Sequence, residues 1–166
     1  MKRAGVTADN GGSRKSSGRS NDLTWLPHNH PTVKAFVEQV SELVGVPASH
    51  AEQVQVVHYT KDQQYRKHWD AFDRGTERGQ KMMAQAGNRV LTALLYLQTP
   101  TAGGQTDMVN LGLRVEPEVG RLMIFHNVHV GSATRHTDSN HAALPVIEGE
   151  KWAMNLWFRE RPLRAT

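Results

Sequence analysis

An imidazole and a carboxylate stand two residues apart in Tyr65-Arg66-Lys67-His68-Trp69-Asp70. On an extended strand that spacing turns both side chains to the same side, where they could grip one ion together. With one distant histidine they would complete a two-His-one-carboxylate facial triad, a donor set that holds iron(II) and leaves coordination positions open for chemistry. A His-x-Asp pattern also arises by chance as a solvated strand histidine, so the rest of the chain decides its meaning.

A third ligand has several sources. His126, His129, His136 and His141 all lie downstream, and spacing alone does not choose between His136 and His141. On the strand at 151–159, Trp152, Met154, Leu156 and Phe158 form one apolar face, opposite Lys151, Ala153, Asn155 and Trp157. If the apolar face packs under a helix, Lys151 points inward, where an ammonium needs a partner such as a bound anion. The simpler alternative is a lysine that snorkels to water. Thr92 and Tyr96 share one face of the strand at 89–98, and buried hydroxyls there need partners too.

These residues must be positioned by a particular set of elements. Pro31 and the recurrence of Val33, Phe36, Val37, Val40, Leu43 and Val44 predict an amphipathic helix ending near Gly45. From residue 53 the period shifts to two, and segments 53–59, 64–70, 89–98, 111–115, 121–126, 141–147 and 151–159 read as strands. Several short strands after one helix predict a mainly β fold, a double-stranded β-helix (jelly roll) with an N-terminal supporting amphipathic helix. Residues 71–88 form a long connection, read as a functional lid or a disordered loop. Residues 1–22 are poor in apolar side chains and read as loosely packed, with 1–15 a flexible basic segment and 16–166 a single domain.

Composition bounds the function further. A chain of 166 residues fits one domain, and the absence of cysteine excludes disulfides and thiolate metal sites. No apolar run approaches the roughly 18 residues of a membrane helix, and the chain reads as cytoplasmic with no membrane partner. The formal charge of +4 is concentrated in residues 1–19, which leaves 15 basic and 15 acidic residues in the remainder. A nucleic-acid partner is therefore disfavoured.

The order of motifs resembles the catalytic domain of the prolyl 4-hydroxylase family of iron(II)- and 2-oxoglutarate-dependent dioxygenases, from about residue 16 to 160. The matching runs are Gln55-Val56-Val57-His58-Tyr59, Tyr65 to Asp70, Arg89 to Leu97, Gly103-Gly104-Gln105-Thr106, Pro117 to Phe125 and His141 to Trp152. The resemblance implies His68, Asp70 and His141 as iron ligands, because the family's distal histidine precedes a Pro-Val and Gly-x-Lys-Trp run as His141 does. It implies that Lys151, with Tyr59, binds the distal carboxylate of 2-oxoglutarate, and that Thr92, Tyr96 and Trp157 wall the pocket. Dioxygen and ascorbate follow from the resemblance as further cofactors, and a proline-containing peptide or protein as the partner. The implied reaction is hydroxylation of an unactivated C–H, at the 4-position of prolyl residues, with release of succinate and carbon dioxide.

The sequence departs from the family at Gln105, where glutamate is commoner, and in 71–88, which matches no substrate-binding pattern. Family domains usually begin earlier, and on that resemblance residues 1–15 are expected to be a remnant of the first layer. Alternatives are the same chemistry on a free amino acid or other small molecule, a non-catalytic jelly-roll metal or ligand binder, and a nucleic-acid demethylase, whose family anchors 2-oxoglutarate with arginine.

Overall fold

The computed structural model describes residues 1–3, 5–7, 13–15 and 18–163. In chain order the strands are β1 (Lys2–Arg3), β2 (Gly5–Thr7), β3 (Ser13–Lys15), β4 (Asp22–Leu26), β5 (Val54–Tyr59), β6 (Tyr65–His68), β7 (Arg89–Gln98), β8 (Ala102–Gly103), β9 (Thr106–Met108), β10 (Leu113–Val115), β11 (Leu122–His126), β12 (His141–Ala143), β13 (Val146–Glu148) and β14 (Lys151–Arg159). Helix α1 (Pro31–Val44) lies between β4 and β5, and helix α2 (Glu77–Ala84) between β6 and β7.

Helix α1 starts on Pro31, where the missing amide would be unpaired in any case, and stops at Gly45 in the left-handed conformation, φ 68°. Its stripe of Val33, Val37 and Val40 packs on Val54, Leu91, Ala93, Leu156 and Phe158. That face belongs to an antiparallel six-stranded sheet in the order β1-β4-β5-β14-β7-β11. The opposite face carries a second core of Val57, Tyr59, Leu94, Tyr96 and Ala153. Side chains alternate across β14, so Leu156 and Phe158 meet the helix while Lys151 and Ala153 face the interior.

A second antiparallel sheet, β10-β9-β12-β6, faces the first and completes the jelly roll. Helix and strand segments from the periodicity match, and three differences have physical causes. The segment 141–147 is two strands, because Pro145 has no amide to continue the ladder and the chain leaves β9 to pair with β8. Strands β1, β2, β3, β4, β8 and β9 were not anticipated, each being two to five residues long. Residues 71–88 hold α2, capped at its start by the Thr76 side chain, which accepts from Gly79 N.

The expected looseness of residues 1–22 does not extend to 18–22. Asn21 is fully buried, and Arg19 donates to Asn21 Oδ1 and Gln55 Oε1 while resting on the Tyr65 ring. Residues 4 and 8–12 of the expected flexible segment, and 16–17 at the start of the expected domain, lie outside the described residues. Among the described residues no helix is long and apolar enough to cross a membrane.

Candidate metal centre

Strands β6 and β12 are paired so that His141 stands directly opposite His68, and Asp70 follows β6 by two residues. Register therefore delivers what sequence spacing could not, a third donor within reach of the first two. One ligand atom from each of His68, Asp70 and His141 lies within 4.8 Å of the others. His68 Nε2 is 3.7 Å from Asp70 Oδ1, and His141 Nε2 is 3.8 Å from Asp70 Oδ2. Each ring donates its Nδ1–H to a main-chain carbonyl, His68 to Arg66 and His141 to Ser139. That fixes the tautomer and leaves both Nε2 lone pairs directed at one point.

Electrostatics keeps His68 and Asp70 in their metal-binding forms. Burial, followed by the nearby His141, pushes the His68 imidazolium down to about 3, so the ring is neutral. Burial alone would raise Asp70, but His141, His68 and Arg89 outweigh it and hold the carboxyl at about 2. Two imidazole nitrogens and one carboxylate are a donor set suited to a divalent cation.

The carboxylate is also oriented from behind. Thr92 Oγ1 donates to Asp70 Oδ2 at 2.8 Å, and Asn127 Nδ2 donates to Thr92 Oγ1 at 2.7 Å, all three residues being buried. Asn140 Nδ2 donates to the His68 carbonyl at 3.2 Å. The sequence reading had placed Thr92 on the wall of the cosubstrate pocket, but its hydroxyl is committed to Asp70. Tyr96 departs likewise: it is fully buried and donates to Thr106 Oγ1 at 2.7 Å, one layer behind the cavity. Neither is among the residues lining the cavity.

Beside the triad lies a cavity of about 520 Å³ whose walls include Tyr59, Leu94, Thr106, Lys151, Ala153 and Trp157. Lys151 and Tyr59 are register partners on neighbouring strands, which places both at its inner end. Lys151 is 2% exposed, and burial pushes its ammonium down to about 7. Its protein hydrogen bond goes to the Gly104 carbonyl at 2.6 Å, presented by a left-handed backbone at φ 75°. The Tyr59 hydroxyl makes no hydrogen bond among the described residues, and burial raises it to about 12. An ammonium and a phenol thus converge at the end of the cavity, short of the partners each could take. Trp157 is 5% exposed, lies 3.8 Å beneath the Arg89 guanidinium, and its buried Nε1–H is near enough to the Asp70 carboxylate to favour its charged form without closing a full hydrogen bond.

The competing histidines fall elsewhere. His136 stacks near His129, ring centres 4.4 Å apart, and its Nδ1 accepts from Asp138 N. Trp69, between the two ligands of the motif, is 40% exposed and lies beneath the Arg135 guanidinium.

The connection containing α2 overlies the cavity mouth through Phe72, Arg78 and Met82. Its two ends are clamped by buried Asn88, which accepts from Phe72 N at 2.7 Å and donates to Phe72 O at 3.0 Å. Arg159 donates to Met82 O and Gly87 O, and pairs with Glu52, which also takes a bidentate contact from Arg89. Burial opposes the Glu52 charge, but the two guanidiniums win and lower its pKa. Sequence reasoning had missed Glu52, Asn88, Asn127 and Arg159, because each acts through tertiary contacts with no local pattern.

Comparison with known proteins follows this geometry. The family model described as the 2OG-Fe(II) oxygenase superfamily matches residues 54–159, more than half of the chain. A protein of Acanthamoeba polyphaga mimivirus is 36% identical over 143 residues, which cover 86% of this chain and 59% of the viral protein. The human prolyl 4-hydroxylase subunit alpha-1 is 33% identical over 86% of this chain, which spans 27% of that subunit. The solved structure of the viral collagen prolyl hydroxylase of Paramecium Bursaria Chlorella virus-1, in complex with 2OG, matches with a TM-score of 0.72 and 26% identity. That match covers 86% of this chain and 80% of the viral one. The chain thus spans less than two thirds of the length of these two curated relatives.

Proposed function

This chain belongs to the 2OG-Fe(II) oxygenase superfamily, and we propose that its residues 16–166 form one iron(II)- and 2-oxoglutarate-dependent dioxygenase domain that hydroxylates prolyl residues, at the 4-position, in a peptide or protein. The observation that carries the proposal is the convergence of the His68, Asp70 and His141 donor atoms within 4.8 Å beside a cavity ending at Lys151. The donor set fits iron(II), since imidazole nitrogens and a carboxylate match a borderline cation. Once bound, iron(II) with 2-oxoglutarate and dioxygen supplies the oxidising chemistry, and ascorbate as accompanying reductant rests on the family resemblance alone.

The protein's own work is positional. His68, Asp70 and His141 hold the metal, and Thr92 fixes which way the Asp70 carboxylate faces. Lys151 binds the far carboxylate of 2-oxoglutarate by a charge-assisted bond, with the free Tyr59 hydroxyl as a second donor. In the low-dielectric end of the cavity that contact sets the direction in which the cosubstrate enters. Trp157 walls the cavity between this end and the mouth. Tyr65, Arg89 and the α2 connection border the mouth, where an extended peptide has room to lie across the triad.

A peptide is favoured over a free amino acid by this open mouth. The test is mass spectrometry for a +16 Da product on proline-rich peptides, with free proline as competitor and succinate formation measured in parallel. Hydroxylated peptide with unchanged free proline is the expected result. Product on free proline alone would shift the reading to a small-molecule dioxygenase.

A further inference from the structure

A second cavity, about 440 Å³, opens between α2 and the chain segment leading into it. It shares Tyr65, His68, Asp70, Arg78 and Arg89 with the larger cavity, so the two meet at the triad. Its lining has a modest excess of positive charge. Arg78, Arg89 and Arg135 face it, against Asp70, which belongs to the triad, and Asp73.

The three guanidiniums differ in how far they are satisfied. Arg89 is held bidentately by Glu52. Arg135 donates one amine to Ala71 O, stands 3.8 Å from the half-exposed Asp73, and keeps its Nε buried without a partner. Arg78, on the first turn of α2, makes no hydrogen bond or ion pair among the described residues, although its charge is felt at the Tyr65 phenol. Unsatisfied guanidinium donors on both sides of a cavity are suited to a planar anion, because each presents parallel N–H groups at carboxylate spacing.

We propose that this second cavity is a subsite for a substrate carboxylate, an aspartate or glutamate side chain close in sequence to the residue presented at the metal centre. The inference rests on the peptide reading above and deepens it, from any accessible proline to a proline flanked by an acidic residue. Arg78 is its principal selecting residue, because its charge is otherwise uncommitted, and Arg135 closes the opposite side. The anion is delivered by the peptide itself, since the cavity opens onto the triad rather than only to solvent.

The experiment uses the whole chain and a set of equal-length peptides with a single proline, carrying Glu, Gln or Lys at successive positions on either side. Product is read as the +16 Da species and expressed as kcat/KM. At one or more positions Glu should exceed Gln by about fivefold, the size of one partly screened ion pair, and the ratio should shrink as salt rises. Arg78→Gln should bring that ratio close to one, and Arg78→Glu should transfer the preference to the Lys peptide. Equal kcat/KM for Glu and Gln at every position would overturn the subsite while leaving prolyl hydroxylation standing. So would a preference that survives unchanged in Arg78→Gln. If no peptide gains +16 Da while succinate still forms from 2-oxoglutarate, the peptide reading fails, and the subsite with it.

Discussion

Thr92, on β7 of the six-stranded sheet, donates its hydroxyl hydrogen at 2.8 Å to Asp70 Oδ2, which follows β6 of the other sheet, and so sets the rotation of the one carboxylate in the triad. Replacing it by valine keeps the shape and removes the donor, leaving Asp70 Oδ2 and the Asn127 amide without their partner. Thr92→Val should destabilise the fold by about 1–3 kcal/mol and weaken metal binding by roughly 10–100-fold. Cobalt(II) titration followed by absorbance, beside urea unfolding, separates the two effects.

Metal binding should discriminate among the histidines. His68→Ala and His141→Ala should each abolish stoichiometric binding of manganese(II) in calorimetric titration, whereas His136→Ala should bind as the parent does. Loss of binding in His136→Ala with retention in His141→Ala would reassign the distal ligand.

Lys151 predicts both a kinetic and a pH effect. Lys151→Met should raise the KM for 2-oxoglutarate by about tenfold or more, the order of one charged hydrogen bond. In the free protein burial lowers the ammonium from 10.5 to about 7, so between these values the unfolded chain holds a proton that the folded one has lost. Stability therefore rises with pH across that window, with a slope approaching about 1.4 kcal/mol per pH unit. Lys151→Met should flatten the slope in urea titrations. Affinity for 2-oxoglutarate in the parent should fall as pH climbs above about 7, because binding needs the charged form.

Glu52 joins Arg89 and Arg159, and through Arg159 it steadies the main-chain carbonyls at the end of α2. Glu52→Gln would leave two buried guanidiniums short of charge compensation. A loss of about 3–5 kcal/mol is expected by chemical denaturation. Faster proteolysis within 71–88 should accompany it, whereas cleavage confined to other segments would contradict the anchoring role.

Much of the fold was legible because it depends on local periodicity. The α1 stripe and the two faces of β14 follow from the alternation of Val, Leu and Phe with polar residues, which is a property of neighbouring positions. The helix in 71–88 was hidden because its eight residues make only about two turns with few apolar side chains and depend on a cap and on Asn88 from outside. Strands of two or three residues were hidden for a related reason, since their ladders are defined only by partners distant in sequence.

At the site, the sequence by itself determined the chemical types: His68 and Asp70 on one side of a strand, a lysine that faces inward if its strand packs its apolar side under a helix, and a family order of motifs that singled out His141. Only the tertiary structure decided the arrangement. The pairing of β12 with β6 sets His141 opposite His68, and the layer of hydroxyls behind the cavity assigns Thr92 to Asp70 and Tyr96 to Thr106. The reason is physical: alternation along one strand gives the side to which a residue points. Which group it meets there depends on strand register, and that is settled by packing the two sheets over the whole chain.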